Sequence, residues 1–205
     1  MKYNYSQIPV GYYDTLHNKR SGVQSKWHWL KFLKFNNSLL PSDKHLDVGC
    51  GPGTFIGNYS YGNSFGVDIA LPQIEYAQEK YGFKGQFLKI TPNEPLPFED
   101  QTFDTISLIE LVEHLNDKEN YNLLVDIKRL LKKDGRLLLS TPNYGSAWPI
   151  LEKIVNLIGG VSYEDQHINH FNKYRLKELL QKVGFQKINV ESYLLTAPFF
   201  ASINW

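Results

Sequence analysis

Two groups of side chains in this 205-residue chain have the types and spacing that chemistry needs. The first is Glu110-Leu111-Val112-Glu113-His114. On a helix, Glu110, Glu113 and His114 would be i, i+3 and i+4 and share one face. Two carboxylates and an imidazole meeting there would suit a divalent cation of the Mg²⁺ or Mn²⁺ type. Such an ion can hold two adjacent substrate oxygens and lower the pKa of an attacking hydroxyl. A plainer account competes: acids in a first helical turn favour the dipole, and Glu110 can pair with His114. The second group is Gln166-His167-Ile168-Asn169-His170-Phe171. His114 and His170 are candidate proton acceptors, because histidine titrates near neutrality without tuning. His167 or His170 is also a candidate fourth metal ligand. Here too a plainer account competes, with His170-Phe171 packing a helix start and Asn172 capping it.

A third constellation sets the ligand. In His45-Leu46-Asp47-Val48-Gly49-Cys50-Gly51-Pro52-Gly53, Leu46 and Val48 fit a short buried strand around Asp47. Glycines follow at 49, 51 and 53, and Thr54-Phe55-Ile56 can open a helix. Strand, glycine loop and helix together make a nucleotide-binding layout. A dinucleotide fold wants G-x-G-x-x-G, and Thr54 stands where its last glycine belongs. Asp47 would also repel a diphosphate. An acid beside a glycine loop suits a ligand with positive charge, such as S-adenosylmethionine, which has an ammonium, a sulfonium and no phosphate. Ser64 to Ile69 reads as the next strand. Asp68 at its end is placed to accept ribose hydroxyls, since ligands in α/β sheets sit beyond the carboxyl ends of strands.

These two motifs together resemble those of the class I S-adenosylmethionine-dependent methyltransferases, over roughly residues 40 to 190. The resemblance implies an α/β fold: a Rossmann-like three-layer sandwich, with a mostly parallel sheet and helices on both faces. It implies that Asp47 orients the ammonium end, that Gly49, Gly51 and Gly53 admit the methionine portion, and that Asp68 holds the ribose. Glu110 would lie beside the methionine, and Ile69 and Ile90 beside the adenosine. The acid that often meets the adenine is missing, which leaves Ile90, Thr91 and Asn93 as candidates. Leu96-Pro97-Phe98 to Phe103-Asp104 is similar to the family's "LPF…FD" segment. The E-x-x-E-H run is similar to one in metal-using members, among them quinone-biosynthesis O-methyltransferases and small-RNA 2′-O-methyltransferases, although many relatives carry "EH" with no known metal. Residues 1–40 resemble the helical lid segment of small-molecule methyltransferases, with Tyr13, His17, Trp27 and His28 as substrate contacts and 41–205 as the cofactor-binding domain. The activity implied is methyl transfer to an oxygen or nitrogen of a small-molecule acceptor. An NAD-type oxidoreductase shares the layout and Asp68, but Thr54 argues against it. A non-catalytic binding module would keep the same loop.

The elements that must position these groups follow from periodicity. Apolar residues at helical spacing predict helices over 23–40, 70–80, 118–132, 147–158 and 175–183. Strands are expected at 85–89, 105–109, 136–140 and 185–193, with a turn at 132–135. The last antiparallel strand of the family has no clear place, since Pro198 interrupts the apolar segment 194–205. One domain is expected at this length. A net charge of +1 gives no case for nucleic acid,. Cys50 alone excludes an intrachain disulfide and fits a reducing cytoplasm,. No signal-like start or apolar run long enough for a membrane span is present. Monomer and homodimer are both open.

Overall fold

The computed structural model describes residues 8–146, 148–149 and 167–192. Five strands form one parallel sheet: β1 His45–Val48, β2 Ser64–Asp68, β3 Gly85–Lys89, β4 Phe103–Ile109 and β5 Leu131–Ser140, in the order β3-β2-β1-β4-β5. The chain leaves β1 toward β2 and β3, then resumes on its other side with β4 and β5. The crevice beyond the carboxyl ends of β1 and β4 is therefore the topological switch point, where α/β sheets bind ligands. All four residues of β1 are buried, as a central strand covered on both faces requires,.

The helices are α1 Tyr12–Asn18, α2 Val23–Asn36, α3 Thr54–Tyr59, α4 Leu71–Tyr81, α5 Asp117–Leu130 and α6 Lys173–Val183. Right-handed crossovers put α3 and α4 on one face of the sheet and α5 on the other. Asn116 and Glu119 form a capping box at the start of α5,. Asn172 caps α6 by accepting from the amides of Tyr174 and Arg175, as the sequence suggests. Leu124, Ile127 and Leu130 of α5 share the main core with Leu176, Leu180 and Val183 of α6 and with the central strands.

The N-terminal segment is held by one buried acid. Asp14 on α1 has no solvent exposure. Its carboxylate accepts from Lys80 Nζ at 2.5 Å, Tyr81 Oη at 2.6 Å, Tyr76 Oη at 2.9 Å and Asn18 Nδ2 at 3.1 Å. Burial alone would raise its pKa, but the hydrogen bonds from Lys80, Tyr81 and Tyr76 outweigh it and hold the carboxyl below its usual range,. Gln73 bonds the backbone of Gly11 and Pro9 beside it. So α1 is fastened to α4, and α2 follows after Arg20 and Gly22, both at positive φ.

Four expectations change. The second helix stops at Asn36, not at 40. The turn expected at 132–135 lies inside β5, as a break of register between Phe103↔Leu131 and Thr105↔Arg136. Residues 185–192 are not a strand. Lys187 takes φ +54°, which breaks extended backbone, and Phe185, Ile188 and Val190 pack on the core instead. No helix begins at Glu110, which has φ +54° and precedes a short 3₁₀ turn, Val112–His114. The inserted helix at 147–158, apart from 148–149, and the segment 193–205 lie outside the described residues. Among the described residues no helix is long and apolar enough to cross a membrane.

Candidate active site

A cavity of about 700 Å³ opens at the switch point. Its floor is the loop after β1. Gly49 and Cys50 donate their amides to Val67 O, Gly51 donates to Asp68 Oδ2, and Gly53 donates to Cys50 O. Pro52 has no amide. The loop has therefore spent its donors internally, and a diphosphate would find no nest of free N–H groups on it. Gly53 sits at φ +71°, and a Cβ there would stand 2.7 Å from the Phe87 ring and 2.9 Å from Ala77 Cβ, so the turn needs glycine. Thr54 Oγ1 is buried without a partner and lines the same cavity.

Two acids flank that floor. Asp68, 4 % exposed, accepts from Gly51 N and Ala70 N at 2.9 and 2.8 Å, which fixes its carboxylate at the end of β2. Burial raises its pKa, and backbone amides counter this. Asp47 is 2 % exposed and accepts from Ser107 Oγ at 2.5 Å. Burial pushes its carboxyl up to about 7, the Ser107 bond works the other way, and Asp68 adds repulsion. Behind Ser107 stands His45, with Nε2 2.9 Å from Ser107 Oγ and Nδ1 3.1 Å from Ser64 Oγ. Ser107 gives its one proton to Asp47, so it accepts from His45, which fixes the Nε2–H tautomer of that ring. Burial lowers the His45 pKa to about 4 and keeps it neutral. Ile69 and Ile90 line the cavity as well.

The group expected from Glu110, Glu113 and His114 is rearranged. Glu110 points its Oε1 at Ser140 Oγ, 2.7 Å away, and does not join Glu113 and His114. In its place comes His167. Ligand atoms of Glu113, His114 and His167 lie within 4.8 Å of one another, and the two rings are 5.2 Å apart. Asn169 makes this possible. Its amide donates to Glu113 O, its Nδ2 donates to Leu115 O, and Arg175 Nη2 donates to its Oδ1. Those bonds pin the 167–171 loop on the 3₁₀ turn. Glu113 is 1 % exposed, takes a bond from Thr141 Oγ1 at 3.0 Å, and keeps Oε1 buried without a partner. Burial, then repulsion from Glu110, raises its pKa well above the ordinary carboxylate range. Two imidazoles and a carboxyl held toward its neutral form do not fit Mg²⁺, which demands hard oxygen ligands. His170 lies outside the cavity: exposed, its ring is stacked on Tyr144 at 4.1 Å. His167 Nδ1, in contrast, is 2.7 Å from Tyr144 Oη.

The wall facing the loop comes from α1, α2 and Trp148. Tyr13, Trp27 and His28 line the cavity, as do Lys31, Phe32 and Trp148. His17 does not. It is 6 % exposed, packed between the Phe32 and Tyr59 rings at 5.3 and 5.8 Å. Lys31 and Trp148 read in sequence only as members of amphipathic helices. The signal was the i, i+4 step from Trp27 to Lys31, which puts a cation on the aromatic face.

A family model described as a methyltransferase domain matches residues 23–190. The chain belongs to the class I S-adenosylmethionine-dependent methyltransferase family. The chain is 27% identical to the demethylmenaquinone methyltransferase of Lactiplantibacillus plantarum, over 88% of this chain and 86% of that protein. It is 29% identical to the Probable tRNA methyltransferase 9B of Bos taurus, over 58% of this chain but only 25% of that protein. The chain thus spans about a quarter of the length of that relative. Its fold is similar to a SAM dependent methyltransferase from Archaeoglobus fulgidus, with a TM-score of 0.63 at 21% identity, covering 94% of this chain and 90% of that one.

Proposed function

We propose that this methyltransferase transfers a methyl group to an oxygen or nitrogen of a small-molecule acceptor. The observation that carries the reading is one continuous cavity lined by the glycine loop, by Asp47 and Asp68, and by the aromatic side chains of α1, α2 and Trp148. S-adenosylmethionine, when bound, supplies a methyl group on a sulfonium that is already a good leaving group. The chain's own task is alignment, proton removal and exclusion of water. Asp47 and Asp68 hold the cationic and ribose ends. His114 and His167 line the same cavity, and a ring nitrogen there would take the acceptor's proton. Tyr144 orients His167. Residues up to 40, fastened through Asp14, serve as the lid over the acceptor. The near-neutral charge of the chain favours a small acceptor over a nucleic acid,. A single buried thiol is in keeping with a reducing cytoplasm,.

Calorimetry with S-adenosylhomocysteine and with NAD tests the first half: the thioether should bind and NAD should not. Release of S-adenosylhomocysteine across catechols, amines and hydroxy acids tests the second, and His114→Gln should slow it at least tenfold. NAD binding alone would sink the family's chemistry here. Thioether binding with no turnover on any acceptor would leave a binding module. An unchanged rate in His114→Gln would remove that histidine from the proton path.

A further inference from the structure

Three polar groups on the acceptor side of the cavity are buried with nothing to bond: His28 Nδ1, Trp148 Nε1 and Glu113 Oε1. Beside them is a buried cation. Lys31 is 3 % exposed and lines the cavity. Its ammonium lies 4.5 Å from the centre of the Trp27 ring and 5.8 Å from that of Phe32. Among the described residues it has no ion pair and no hydrogen-bond partner. Glu110 and Glu113 attract it only from beyond hydrogen-bond range; Glu110 accepts from Ser140, Glu113 accepts from Thr141, and burial holds Glu113 toward its neutral form. A cation–π contact offsets only part of the cost of burying an ammonium. Trp27, His28 and Lys31 are one face of α2, and Trp27 stacks on Trp148 at 5.8 Å.

We infer that the acceptor is a planar acid, whose carboxylate is the missing counter-ion of Lys31 and whose ring lies along Trp27 and Trp148. This rests on the methyltransferase reading above. The indole N–H of Trp148 is a second donor to the carboxylate, and the aromatic wall supplies apolar contact for the rest. A carboxylate fits better than a phosphate. One cation and one neutral donor match a monoanion, while the Glu110 carboxylate, whose charge already reaches Lys31, would repel a dianion more strongly. The sulfonium compound at the other end carries a net positive charge, so a monoanionic partner also balances the filled site.

The test uses the whole protein saturated with S-adenosylhomocysteine, titrated by calorimetry with 2-naphthoate, 2-naphthamide and naphthyl phosphate. Naphthoate should bind at least tenfold more tightly than the amide of the same shape. Lys31→Met should erase that ratio while leaving affinity for the amide and for S-adenosylhomocysteine within twofold, and Lys31→Arg should restore part of it. Equal binding of acid and amide, no detectable naphthoate binding at millimolar concentration, or an equal loss of both ligands in Lys31→Met would overturn the proposal. So would a preference for the phosphate ester that depends on Lys31. Failure of S-adenosylhomocysteine itself to bind would instead strike the methyltransferase reading, so the two failures are distinct.

Discussion

Asp47→Asn is expected to bind S-adenosylmethionine at least tenfold more weakly and yet to unfold at a higher temperature when no ligand is present. Both effects have the same cause. The carboxyl is 2 % exposed and its pKa is pushed up to about 7. An acid whose folded pKa is raised costs nothing below its unfolded value, near 3.8, where both states are protonated. The penalty then grows as pH rises from about 4 to about 7 and stays constant above. A shift of that size corresponds to on the order of 4 kcal/mol. Asparagine keeps an acceptor for Ser107 Oγ and carries no charge. In a chain of this length, recovering half of the penalty or more would raise the melting temperature by roughly 5–10 °C at pH 8. The gain should vanish toward pH 4. Binding runs the other way. A cationic ligand favours the ionised carboxyl, so wild-type affinity should strengthen as pH rises from 6 to 8 and protons should be released on binding. Differential scanning fluorimetry across pH, paired with calorimetry in two buffers of different ionisation enthalpy, reads both. A variant destabilised at every pH, or a wild-type affinity flat across that range, would refute the assignment of Asp47 as a charge held in reserve for the ligand.

Asp14→Ala should cost about 2–4 kcal/mol and loosen α1 before the rest of the fold yields. Removing this carboxylate strands the hydroxyls of Tyr76 and Tyr81 and the ammonium of Lys80. Lys80 is half-exposed and can turn to water, which keeps the loss below that of a fully buried pair,. Trypsin should cut faster after Lys19 and Arg20, just beyond α1, while α5 and α6 keep their amide protection. The pKa of Asp14 is held below its usual range, so its contribution is complete above the unfolded value and lost as pH falls through the lower, folded one,. Docking of α1 should therefore be constant from pH 5 to 8 and release only in stronger acid. Because Tyr13, Trp27, His28 and Lys31 depend on this anchor, the acceptor's KM should rise more than that of S-adenosylmethionine. Uniform loss of protection over the whole chain would show instead that α1 is an integral part of the core.

The sheet and the glycine loop after β1 were legible because local rules set them. The strands at 45–48, 64–68 and 85–89 are each bounded by turn residues or glycine. Among the loop's glycines, Gly53 faces a position where no side chain fits. What stayed hidden depends on contacts distant in sequence. No periodicity announces that Asn169 reaches the carbonyls of residues 113 and 115, so the histidine brought to His114 is His167, and His170 stays outside. Reading Glu110 onto a helix failed because the backbone there is in the left-handed region and its side chain is drawn to Ser140. Lys31 looked like one more cation on an amphipathic helix; only the packing of α2 against the loop turns it inward. Asp14 gave no sign at all, since three of its four partners, Tyr76, Lys80 and Tyr81, lie more than sixty residues away.

Cys50 sits in the middle of the loop, 7 % exposed, with its Sγ 2.9 Å from where a Cβ on Gly66 would stand. Burial, with Asp68 and Asp47 nearby, pushes its thiol well above the ordinary value. A reagent such as a maleimide can reach that sulfur only when the bend lifts off the sheet. As the sole thiol of the chain, it works as a clock: its alkylation rate counts those excursions. S-adenosylhomocysteine, seated on top, should slow it in proportion to occupancy, and a rate that ignores the ligand would mean the bend opens without disturbing the bound nucleoside.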